Sequence, residues 1–229
     1  MNTSKRTDAR AGLTLLEVVV VVLVVALIAG ILLPALAHQR EEGRRMRCRL
    51  NLNLLSKQMS SYLGELGNGV WYPCALRRGQ QAGTYNGAEW LAALYWTGVV
   101  PDPGWFLCPS SGDTNTKGKD IGSRKPNDCG GTFGSQTISY AGLWWKSMDT
   151  ATGGAPNRDQ LLAQDPVACD DTQGGINHGS ASNGGMNILF FDGHVEFRTA
   201  AEVDVTSEHG SVGQGFPNPP KTLLWRLKN

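Results

Sequence analysis

From Val18 to Leu33 the chain runs sixteen residues without a polar or charged side chain, and between Leu13 and Ala37 its only charge is Glu17. A helix over those 25 residues spans about 37 Å, enough for a hydrocarbon core of roughly 30 Å. No other stretch restricts the fold so strongly. An acidic side chain costs roughly 2.5–3.5 kcal/mol at a bilayer centre and less near an interface, so Glu17 is a functional residue by default. The leader before it carries Lys5, Arg6 and Arg10, which favours a cytoplasmic N-terminus. Arg40, Arg44, Arg45, Arg47 and Arg49 flank the other side, so charge alone does not orient the segment.

Gly12-Leu13-Thr14-Leu15-Leu16-Glu17, with this leader and this apolar run, resembles the cleavage signal of type IV prepilins and type II secretion pseudopilins. The resemblance implies cutting after Gly12 by prepilin peptidase and N-methylation of Leu13. Glu17 then becomes the fifth residue, and its carboxylate neutralises the new amine of a neighbouring subunit during assembly; a charge in low dielectric needs such a counter-ion. Pro34 is the 22nd residue from Leu13, where pilins often carry a helix-bending proline. The implied partners are prepilin peptidase, other pilin subunits through the N-terminal helix, and inner-membrane lipid. The rival is an ordinary signal peptide cut after Ala35-Leu36-Ala37, releasing a soluble enzyme or binding protein that begins at His38. Against it, sixteen unbroken apolar residues exceed the roughly 7–15 of such a peptide, and Glu17 would serve no purpose in a discarded one.

Beyond Pro34 the pattern stays helical. Leu52, Leu55, Met59, Tyr62 and Leu66 recur three and four apart as an apolar seam, with Gly64, Gly67, Asn68 and Gly69 as stop signals. A helix from Leu13 to Leu66 would be on the order of 80 Å long. The expected organisation is a leader over 1–12, a transmembrane half-helix over 13–37, an amphipathic half over 38–66 and a globular domain over 67–229. The fold class is α+β and pilin-like: the long helix followed by a small antiparallel sheet.

Glycine supplies 29 of 229 residues, well above the usual share of about 7%, which favours a loop-rich β domain. Trp90-Leu91 and Leu94-Tyr95-Trp96 have the spacing of a short surface helix. Phe106 to Ser110 reads as a strand ending in a turn, 111–134 as a long loop, Gln136 to Trp145 as β-like, and Asn157 to Ala168 as partly helical around Leu161-Leu162. The clearest signal is Met186 to Phe197, two apolar runs joined by Asp192-Gly193, a β-hairpin whose tight turn needs positive φ at both central residues. With His178 upstream it resembles a C-terminal signature of prepilin-like proteins: a His, nine residues, then Asp-Gly. Here thirteen residues intervene, which loosens any fixed contact from His178 to the turn.

Five cysteines include no C-x-x-C pair. In an exported domain Cys74, Cys108, Cys129 and Cys169 could form two disulfides, with Cys48 left over on the helix. His178, His194, Asp170, Asp171 and Asp192 match no H-E-x-x-H or G-x-S-x-G pattern, so no catalytic residue, metal or cofactor is expected and the chain is read as not an enzyme. The resemblance leaves calcium open, since major pseudopilins hold it with carboxylates and backbone carbonyls in a glycine-rich loop, although no D-x-[DN]-x-[DN]-G run supports it here. Net charge is +1; removing three basic and one acidic leader residues from 21 and 20 leaves 18 and 19, so nothing points to nucleic acid. The expected role is a structural pilus or pseudopilus subunit, single-pass in a bacterial inner membrane, its domain periplasmic or in an extracellular filament.

Overall fold

A computed structural model describes residues 14–69, 87–115, 121, 137–143, 159, 161–170, 176–179, 184–203, 224 and 227–228. The leader over 1–12, Leu13, Cys74, Cys129, Asp171 and most of the 111–134 loop lie outside the described residues. Contacts divide the chain into two compact units, Met1–Arg40 and Glu41–Asn229.

Helix α1 is Leu15–Glu65. Its start is fixed by reciprocal caps: the Thr14 backbone N–H donates to Glu17 Oε2 (2.8 Å), and the Glu17 N–H donates to Thr14 Oγ1 (3.3 Å). This Thr-x-x-Glu capping box satisfies donors that a helix N-terminus otherwise leaves open. The helix continues through Pro34. Within Met1–Arg40 the large apolar side chains from Leu15 to Leu36 are exposed, and the helix is long and apolar enough to cross a membrane.

Within Glu41–Asn229 the helix buries one stripe: Cys48, Leu52, Leu55, Met59 and Leu63. The expected seam is corrected at its end, where Leu63 replaces Leu66. Leu66 lies past the last helical residue and is exposed, and Asn68 and Gly69 adopt positive φ there. Tyr62 is partly buried against the same core.

Among the described residues the sheet has five strands, all antiparallel, in the order β4-β3-β2-β1-β5: β1 Tyr140–Leu143, β2 Pro166–Asp170, β3 Gly185–Phe190, β4 Val195–Thr199 and β5 Leu227–Lys228. Leu161 and Leu162 lie in no helix but lead into a turn, and the 166–168 end of the stretch expected to be partly helical opens strand β2; Pro166 sits at its first position, where no ladder N–H is required. Helix α2, Gly87–Trp96, is buried from Gly87 to Leu94 rather than lying on the surface. It packs so closely on β1 that a Cβ on Gly142 would come within 2.4 Å of the Gly87 carbonyl oxygen. The strand expected at Phe106 is instead the end of a 3₁₀ turn, Pro103–Phe106, whose Gly104 N–H is capped by Asp102 Oδ1 (2.8 Å). Ala200–Val203 forms a short helix, α3, after β4.

The hairpin β3–β4 is present, with a different turn. The Gly193 N–H donates to the Phe190 carbonyl (2.9 Å), and only Gly193 (φ 91°) has positive φ. Leu189 pairs with Val195, so the loop carries a type I turn followed by a left-handed glycine rather than a two-residue turn. The extra residue relaxes the demand on Asp192, whose backbone stays in the ordinary region.

Candidate functional site: a buried polar row beneath the long helix

One face of the sheet places Tyr140 (β1) opposite Asp170 (β2), and Asn187 (β3) opposite Phe197 (β4). Asn187 adjoins Asp170, because its backbone N–H and Nδ2 donate to Asp170 Oδ2 at 2.7 and 2.8 Å. The second half of α1 lies over this row. Asn51 Nδ2 donates to the Leu107 carbonyl (3.0 Å) and to the Tyr140 hydroxyl (3.3 Å), Asn187 Nδ2 reaches the Arg45 carbonyl (3.4 Å), and the Arg45 guanidinium sits 4.2 Å above the Phe197 ring. A polar row inside a core is tolerated only where its groups find partners.

His178 enters this row from the segment 176–179, where its carbonyl accepts from the Gly185 N–H (3.0 Å). Its ring spans two carboxylates: Nδ1 lies 3.0 Å from Glu41 Oε1 and Nε2 lies 3.3 Å from Asp170 Oδ2. Burial pulls the imidazole toward its neutral form, but the hydrogen bonds and charges of Asp170 and Glu41 prevail and hold its pKa above the usual histidine value. Burial, then the charge of Asp170, push the Tyr140 hydroxyl well above its usual pKa, so it stays protonated. Ser110 Oγ also donates to Glu41 Oε1 (3.0 Å).

Cys108 Sγ lies 3.5 Å from His178 Nε2 and is bonded to Cys48, the bridge closing 60 residues with Cα atoms 5.2 Å apart. The expectation that Cys48 is the unpaired cysteine is therefore corrected. The signal was available: Cys48 lies four residues before Leu52, in line with the seam, so it faces the domain. Cys169 is buried in β2, on the face opposite Asp170 by strand alternation.

The expectation of a chain without metal or catalytic chemistry, and so not an enzyme, is also corrected. One ligand atom each from Cys48, Cys108, Asp170 and His178 lies within 4.8 Å of the others, and all four residues are buried. With the bridge intact the imidazole and carboxylate could move a proton; only with it reduced could two thiolates join them to hold a metal ion. No short motif announces them, since they come from four separated segments. Asp170 was within view of sequence reasoning as an acid beside Asp171; Glu41, Asn187 and Cys48 were not assigned to a site.

The other candidate residues lie elsewhere. Asp192 and Gly193 form the hairpin tip, where Asp192 Oδ1 accepts from the His194 backbone N–H (3.1 Å) and the His194 ring stacks on Phe190 at 4.3 Å. That hydrogen bond holds the Asp192 carboxyl below its usual pKa. Glu17 and Pro34 belong to Met1–Arg40. Compared with protein-family models, with curated proteins and with solved structures, the chain matches none of them.

Proposed function

We propose that this chain is an envelope protein of the pilin-like kind: anchored by the apolar half of α1, processed after Gly12 by prepilin peptidase, and assembled through that helix into a pilus or secretion pseudopilus. The observation that carries the reading is the all-round exposure of the large apolar side chains from Leu15 to Leu36. A helix apolar on every face needs lipid or other helices around it. In a filament, copies of the same segment would replace lipid contacts with protein contacts. Among the described residues Glu17 has one hydrogen-bond partner, Thr14; the Leu13 amine of a neighbour would be a further one, and the capping box would hold the carboxylate in place for it. The leader over 1–12, the half-helices over 13–37 and 38–66, and the domain over 67–229 are the corresponding parts.

The buried Cys48–Cys108–Asp170–His178 cluster favours a second reading, a secreted enzyme or binding protein released after Ala37. Mass spectrometry of the mature N-terminus separates the two. A methylated Leu13 supports the first, His38 supports the second, and an intact Met1 overturns both in favour of a permanently anchored envelope protein. Under the first reading Glu17→Ala is cleaved normally but incorporated poorly into filaments; normal filament yield would sink the role given to Glu17.

A further inference from the structure

We propose that reduction of the Cys48–Cys108 bridge turns this cluster into a closed four-ligand site for a zinc-class divalent ion, held by the two sulfurs, His178 Nε2 and a carboxylate oxygen of Asp170. The inference stands apart from the filament and secretion readings, since it uses only residues of Glu41–Asn229.

Three independent observations converge on it. The donor set comes first. Two thiolates, one imidazole and one carboxylate are the ligand types of tetrahedral zinc, whereas calcium asks for six to eight oxygens. The four ligand atoms already lie within 4.8 Å of one another. A tetrahedral ion with Zn–S near 2.3 Å separates two sulfurs by about 3.7 Å, a distance that side-chain rotation can open once the bond is broken.

The second observation is Asp170 Oδ1, a buried carboxylate oxygen without a hydrogen-bond partner, on a residue only 1% exposed. Buried polar atoms are rarely left so, and a metal ion would satisfy it. The third is Glu41. Its carboxylate, 3.0 Å from His178 Nδ1, accepts a hydrogen bond from that nitrogen and leaves Nε2 directed at Cys108 and Asp170. A carboxylate on the far nitrogen is the usual device that orients a metal-bound histidine. Full burial of the four residues leaves no open position, as in structural rather than catalytic zinc sites.

A dithiol reductant delivers two electrons and two protons to the bridge, becoming a disulfide itself and leaving two thiols. The divalent ion then displaces both thiol protons, together with the Nε2 proton where His178 carries one. Bridge and ion are mutually exclusive, and each ties α1 to the segment after the 3₁₀ turn. Oxidising compartments favour the first and reducing ones allow the second.

The test uses the full chain in detergent with cobalt(II) as the probe. Oxidised protein should show no thiolate-to-cobalt charge-transfer band. After reduction, one equivalent of cobalt should produce that band with tetrahedral visible bands, and zinc should bleach both. Cys48→Ser should abolish the signal while leaving the remaining cysteines in place. Glu41→Ala, a change at a half-exposed residue that spares the core, should weaken affinity by about 10–100-fold. The proposal is overturned if reduced wild-type protein gives no band, if oxidised protein gives the same one, or if the band survives Cys48→Ser. Unchanged affinity in His178→Gln would remove His178 from the ligand set and overturn it as well, and unchanged affinity in Glu41→Ala would overturn the orienting role given to Glu41.

Discussion

Leu27 and Leu55 belong to the same helix, yet Leu27 is 68% exposed and Leu55 is completely buried. The first half of α1 is apolar on every face; the second confines its apolar residues to the stripe from Cys48 to Leu63 and surrounds it with arginine, glutamate and asparagine. One backbone conformation thus serves two solvents. The first half satisfies its own backbone groups and leaves its side chains to an apolar surrounding, the requirement of a membrane span. The second half spends its apolar side on a sheet, and its polar groups on the row beneath. The difference teaches that helix length says nothing of destination; the angular distribution of apolar residues does.

Substitutions can break or sharpen that contrast. The largest effect is expected for the bridge, which fastens only the second half. Cys48→Ser releases a 60-residue loop, and the chain-entropy account gives about 4 kcal/mol of lost stability, measured by denaturant unfolding of oxidised protein. Next comes the leucine pair: Leu55→Ala should destabilise the domain by about 2–5 kcal/mol, while Leu27→Ala should leave its unfolding midpoint where it was. An equal response from both would erase the distinction between the halves.

A pH effect should follow from His178. Its folded pKa is raised, so the stabilisation is complete below the unfolded value of about 6.5 and is lost as pH rises through the higher folded value. Unfolding midpoints should therefore fall on going from mildly acid to alkaline solution, and His178→Gln should flatten that slope. The smallest change is Arg45→Ala, which removes the cation over Phe197 and should cost about 0.5–1 kcal/mol at this half-buried position. A larger loss would mean that Arg45 holds the helix on the sheet by more than this contact.

The parts that could be read in advance share one property: their signal is local. The apolar run, the 3–4 seam, α2 and the Asp192-Gly193 hairpin each repeat or turn within a dozen residues. Strand β2 was missed because Pro166-Val167-Ala168-Cys169-Asp170 offers little alternation; a strand buried along its whole length needs none. The capping box at Thr14-Leu15-Leu16-Glu17 is legible as Thr-x-x-Glu ahead of an apolar run, and Glu17 thus has a local role beside its charge.

The amino-acid sequence by itself determined a helix with two unlike halves and a hairpin near the other end, since hydrophobic periodicity and turn chemistry act between near neighbours. Only the tertiary structure decided that Cys48 meets Cys108, that His178 stands between Glu41 and Asp170, and that Tyr140, Asp170 and Asn187 share one buried row. Glu41 and His178 are 137 residues apart. No pattern along the chain encodes such a pairing. It arises when the antiparallel register brings β1, β2 and β3 side by side and the helix stripe closes over them, excluding water from groups that must then find one another.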